Sequence, residues 1–89
     1  MKDRADGDGP PQKVAAIIAA RNDRRTVSAT VRACRAIPGV DLIIVVDDAS
    51  DDDTAQAARS AGAVVVRHSK ARGRASALET GVKVASMRD

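Results

Sequence analysis

The sequence predicts an α/β fold: a three-layer, Rossmann-like βαβαβα unit on a parallel sheet. Apolar runs recur at Val14–Ala20, Leu42–Val46 and Ala63–Val66, segments of helical period separate them, and turn or cap residues bound each one. The Leu42–Val46 run does not alternate apolar with polar residues, which suits a strand covered on both faces. Strands alternating with helices imply parallel pairing through right-handed crossovers, and 3-2-1 is then the simplest strand order.

Residues 1–12 are mostly Asp, Gly, Pro and Lys, so a disordered tail is expected there and the domain is assigned to residues 13–89. After the first strand, Thr26–Ile37 carries Val27, Val31 and Cys34 at helical spacing while Arg24, Arg25, Arg32 and Arg35 take other faces. Pro38-Gly39 stops that helix, because Pro cannot continue the hydrogen-bond ladder and Gly accepts the left-handed cap. Leu42–Val46 is short and β-branched, which favours a strand over a buried helix, and it runs directly into Asp47-Asp48. A second helix is expected to begin near Asp52 or Asp53, where a carboxylate can accept from orphan amides, and to end at Gly62. The third strand leads through a loop from His68 to Arg72 and Gly73 into a last helix, Arg74 to Met87, with Leu78, Val82 and Ala85 as its packing stripe.

Composition narrows the function classes. The chain of 89 residues contains no Phe, Trp or Tyr, so its core must be built from Ala, Val, Ile and Leu. A domain of this size buries roughly 60–65% of its unfolded surface, near the lower limit for independent stability. Its net charge of +3 is spread through both signs, with neither a basic stripe nor aromatic platforms, which argues against nucleic acid as a partner. Cys34 is alone, so no internal disulfide or cysteine-held zinc is possible, and a buried helix residue is the expectation. No apolar run reaches the length of a membrane span and no apolar signal core follows the amino terminus, so a cytoplasmic location is expected. The first strand lacks a neighbour on one flank, and an open apolar edge invites self-association.

Three clusters fall at the carboxyl ends of the predicted strands, where open α/β sheets bind ligands: Arg21-Asn22-Asp23, Asp47-Asp48 with Ser50, and His68 to Arg74. One acid of the Asp47-Asp48 pair can accept from a ligand while the other orders the turn; Asp48 is the preferred ligand, and Asp51, Asp52 and Asp53 read as turn and cap residues. Gly73 between Arg72 and Arg74 opens a helix whose free amides and guanidinium groups suit a diphosphate. Arg21 can cover a base or reach a phosphate, and Asn22 and Asp23 double as the cap of the first helix. His68 has no acid near it in sequence and reads as a loop residue.

Laid out in this order, the residues from Val14 to about Ala85 resemble the amino-terminal portion of a family 2 glycosyltransferase, an inverting enzyme with the GT-A nucleotide-sugar fold. Ala19-Ala20-Arg21-Asn22-Asp23 stands where the family typically has Pro-Ala-Arg-Asn-Glu. Val45-Val46-Asp47-Asp48-Ala49-Ser50-Asp51-Asp52-Asp53-Thr54 follows the strand-two motif and departs mainly at Ala49, where Gly is common. Ala71-Arg72-Gly73-Arg74, with Ala77-Leu78 and Gly81, is similar to the third motif, Arg74 standing for the usual Lys. The resemblance implies that Ala20, Arg21, Asn22, Asp23 and Asp48 contact the base and ribose of a UDP- or GDP-linked sugar, with Asp47 in the same motif, and that Gly73 and Arg74 approach the phosphates. It also implies a Mg²⁺ or Mn²⁺ ion and a catalytic base carried by later segments, so the chain is expected to hold no catalytic or metal residues and to be inactive alone. Two other readings stay open: a non-catalytic nucleotide-binding or assembly module completed by another chain, and a receiver-like Asp-pair domain. The receiver reading wants an acid after the third strand, where Arg67 and His68 stand.

Overall fold

The computed structural model describes residues 14–88; the expected amino-terminal tail lies outside them. Three strands, β1 (Val14–Ala20), β2 (Val40–Asp47) and β3 (Val64–Arg67), alternate with α1 (Val27–Arg35), α2 (Thr54–Ser60) and α3 (Arg74–Met87). The strands pair in parallel in the order β1-β2-β3, the arrangement predicted from the alternation. β2 is longer than its apolar run because Val40 and Asp41 join the ladder at its start and Asp47 at its end. α1 is shorter than expected at both ends, and its last carbonyls are closed by the amides of Ala36 and Ile37.

Side chains along a strand point to opposite faces with a period of two, and this divides the core. On one face Ile43 and Val45 of β2 pack with Val27, Val31 and Ala58 of α1 and α2. On the other, Ile44 and Val46 pack with Ala77 of α3. Both faces of β2 are therefore dry, as its unbroken apolar run requires. Cys34 is half-buried beside the first cluster rather than fully enclosed.

The packing stripe of α3 differs from the one predicted. Ala77 and Gly81 are buried, with Val84 and Ala85 beside them, whereas Leu78 and Val82 are 37% and 55% exposed. The small residues win because the helix sits so close to β1 that a Cβ on Gly81 would lie 2.3 Å from Ile17 Cγ2. Gly81→Ala is expected to destabilise the chain by about 1–2 kcal/mol in urea titrations, since overpacking outweighs the ~1 kcal/mol gain in helix propensity.

Candidate functional site

Strand register brings the three predicted clusters to one rim. Ala20, Asp47 and Arg67 are partners in a single row across the sheet, so the residues after them leave the sheet side by side. The amides of Asp48 and His68 extend the ladder, donating to the carbonyls of Ala20 (2.8 Å) and Asp47 (2.9 Å).

Two hydroxyls staple the first loop to the second. Ser50 Oγ accepts from the amide of Asn22 (2.7 Å) and donates to Asp47; Thr54 Oγ1 accepts from the amide of Asp23 (2.7 Å) and donates to Asp52. Asn22 returns the link, its Oδ1 accepting from the amide of Asp51 at 2.8 Å. Asn22 adopts φ 51°, a left-handed conformation that Asn tolerates better than most residues. The carbonyl of Asp23 accepts from the amides of Thr26 and Val27, so Asp23 does close the entry to α1. Asp52 accepts from the amide of Thr54 at 2.9 Å and so caps the start of α2, the turn role expected for it.

Period two sends the paired acids to opposite faces. Asp47 is fully buried on the α1–α2 side, accepting from the amide and hydroxyl of Ser50, with Arg67 Nε in ion-pair contact 3.0 Å from Oδ2 but off the hydrogen-bond axis. Arg67 also donates to the Ser50 carbonyl at 2.9 Å. Asp48, on the α3 side, clamps the third loop: Oδ1 accepts from the amide of Arg72 and meets His68 Nδ1, both at 2.8 Å, and Oδ2 accepts from the amide of Gly73 at 2.9 Å. Both acids thus order loops. Gly73 itself has φ 95°, which the chain needs to turn from this clamp into α3.

The amide of Arg72 and then His68 pull the Asp48 carboxyl down to a pKa of about 2 from 3.8, against the opposing effect of burial. Asp52 is lowered too, chiefly by the Thr54 hydroxyl. A carboxyl depressed by folding adds stability above its unfolded pKa and loses it as pH falls through the folded value. The midpoint of thermal unfolding, followed by circular dichroism, should therefore drop as pH is lowered from 3.8 toward 2, and less steeply in Asp48→Asn.

Ala49 takes φ 62°, which explains why Gly is common at its place in the resemblance. Ala49→Gly is expected to raise stability by about 1 kcal/mol by removing the left-handed penalty on a Cβ, as chemical denaturation would show.

Arg21, Asn22, Arg72 and Arg74 are exposed on this rim while Asp47 and Asp48 are turned inward, so cations face outward and acids hold the scaffold. His68, read from sequence as a loop residue, is buried and held by Asp48 and Thr80. The signal was there, since residues one past Asp47 and Arg67 must share a face, but Asp48 lies twenty positions from His68 and the pairing shows only once register is known. The depressions found elsewhere, one beside Arg32 and Ala61 and one beside Val40 and Gly62, lie at the opposite end of the strands.

The sequence profile of glycosyl transferase family 2 matches residues 15–88. The chain belongs to that family. Solved structures agree. Mannosyl-3-phosphoglycerate synthase from Rubrobacter xylanophilus is 37% identical, with a TM-score of 0.58, over 62% of this chain and 19% of its own. A glucosyl-3-phosphoglycerate synthase of M. tuberculosis is 32% identical with a TM-score of 0.56, over 62% of this chain and 21% of its own. The Mycobacterium tuberculosis glucosyl-3-phosphoglycerate synthase solved with Mn²⁺, UDP and glucosyl-3-phosphoglycerate is 28% identical with a TM-score of 0.64, over 74% of this chain and 27% of its own. No curated protein matches the chain significantly. This family 2 chain therefore spans about a fifth to a quarter of the solved structures it resembles, and its fold is that of GT-A glycosyltransferases.

Proposed function

We propose that the rim is the donor-side half of a glycosyltransferase site, built to hold the nucleoside diphosphate of a UDP- or GDP-linked sugar. The Asp48 clamp supports this reading most, because it fixes the start of α3 beside the loop that carries Asn22. A carboxylate offers about four acceptor positions. His68, Arg72 and Gly73 take three of them on Asp48, which leaves one on Oδ2 for a ligand N–H or hydroxyl. Ala20, Arg21, Asn22 and Asp23 line the base and ribose side, and Asp47 supports them through Ser50. Arg74 and the uncapped first turn of α3, which opens at Gly73, take the diphosphate, where amides and the helix dipole favour negative charge.

The divalent ion that the family implies does not fit these residues. Asp47 is buried away from the rim and Asp48 keeps a single acceptor position, and among the described residues no three His, Cys, Asp or Glu side chains converge on a metal position. Sugar transfer needs charge stabilisation on the departing diphosphate and a base for the acceptor hydroxyl. This chain is accordingly proposed to bind donor nucleotide without turning it over, and to work in the cytoplasm. No helix among the described residues is long and apolar enough to cross a membrane.

Calorimetric titration with UDP and GDP, with uridine as the control lacking phosphates, tests the binding. Saturable uptake of one diphosphate, tighter than uridine, is the expected result, and no uptake of either overturns the reading. Incubation with the matching nucleotide sugars and Mn²⁺ should release no sugar above a blank; metal-dependent turnover would contradict the inactivity. A second reading rests on β1, which among the described residues pairs on one side only and whose VAAIIAA sequence carries no charge or Pro to protect the edge. Light scattering behind size exclusion tests the self-association it implies, with a dimer expected and a monomer at high concentration counting against it.

A further inference from the structure

His68 is the only histidine of the chain, and it is 7% exposed. Its Nδ1 lies 2.8 Å from Asp48 Oδ1 and its Nε2 lies 2.8 Å from Thr80 Oγ1, on the second turn of α3. The ionised Asp48 carboxylate accepts only, so Nδ1 carries the ring proton. Nε2 on the other side of the ring meets the Thr80 hydroxyl within hydrogen-bond distance. The imidazole therefore bridges the strand-two turn and the body of the helix whose first turn faces the rim, two elements that Asp48 otherwise joins only through the amides of Arg72 and Gly73.

We propose that His68 is a positioning residue for the donor site, and that the Asp48–His68–Thr80 relay sets the placement of the α3 amino terminus where the diphosphate is held. The proposal rests on the donor-site reading and adds to it a residue that need not touch the ligand. The relay fixes the helix as well as the loop path: the Asp48 clamp alone holds residues 72 and 73, while the link to Thr80 holds the helix about two turns farther on. Its loss should misplace the phosphate-facing amides and leave the base-facing loop intact, because Asn22 and Asp23 are tied through Ser50 and Thr54 instead.

Thr80→Val removes the hydroxyl at nearly constant volume and tests this in the full 89-residue chain. UDP binding should weaken about 3- to 10-fold, as expected for one lost hydrogen bond, with uridine binding essentially unchanged. Thr80→Ser should restore UDP binding. With one histidine present, a long-range ¹H–¹⁵N spectrum reports one imidazole; the proton should sit on Nδ1 in the wild type, and the Nε2 resonance should move in Thr80→Val. Unchanged UDP affinity in Thr80→Val, or equal weakening of UDP and uridine, overturns the positioning role while leaving the donor-site reading standing. Failure of the wild-type chain to bind UDP or GDP overturns the donor-site reading and this role with it.

Discussion

Asp47→Ala is expected to lower stability by about 3 kcal/mol, a large share of the total in a chain near the lower end of the ~5–15 kcal/mol range. The substitution removes a fully buried carboxylate that closes its own turn through the amide and hydroxyl of Ser50. It also strips the ion partner from Arg67 and frees Ser50, which otherwise receives the amide of Asn22. Because Arg67 is half exposed and can be rehydrated, most of the cost falls on the buried amide and hydroxyl left without an acceptor. Urea denaturation followed by circular dichroism measures it. Asp47→Asn should recover part of the loss by keeping one acceptor oxygen for Ser50. An Asp47→Ala chain as stable as the wild type would mean that the rim is not held from below.

Asp48→Ala acts on function more than on the fold. With its carboxylate gone, the amides of Arg72 and Gly73 and the His68 ring lose their common acceptor, and the third loop is released from β2. Amide exchange at Arg72 and Gly73 should accelerate by roughly 10- to 100-fold, the factor corresponding to one or two charge-assisted bonds. Nucleoside diphosphate binding should fall at least about tenfold, since the helix start is no longer pre-placed. Unchanged exchange at these two amides would show that the loop is held by something other than Asp48. The two substitutions separate the roles of neighbouring acids: one supports the sheet end, the other the ligand-facing loop.

Much of this was legible in the sequence, and the exceptions have identifiable causes. The unbroken run of Leu, Ile and Val at positions 42–46 announced a strand buried on both faces, and β2 is dry on both. The alternation of strands with helical segments gave the parallel order, because crossovers of this length admit few others. The α3 stripe was misread since a hydrophobicity pattern favours Leu78 and Val82, whereas close approach to Ile17 selects the smallest residues, Ala77 and Gly81. Size complementarity across a contact is not written along one strand of sequence. For the same reason the preference for Asp48 as a ligand was incomplete: its amide and imidazole partners come from positions 68 to 73, and local spacing cannot reveal how many acceptor positions they consume. The left-handed backbone at Ala49 was foreshadowed by the Gly common there in the family resemblance.

The claim that three loops make one nucleoside-diphosphate rim is tested most directly by NMR shift mapping on the labelled 89-residue chain during titration with UDP and GDP. Saturating shifts should concentrate at Ala20 to Asp23, Asp48 and Arg72 to Ser76. Shifts centred instead on Arg32 to Ala36 and Ser60 to Ala61, at the far end of the strands, would contradict it.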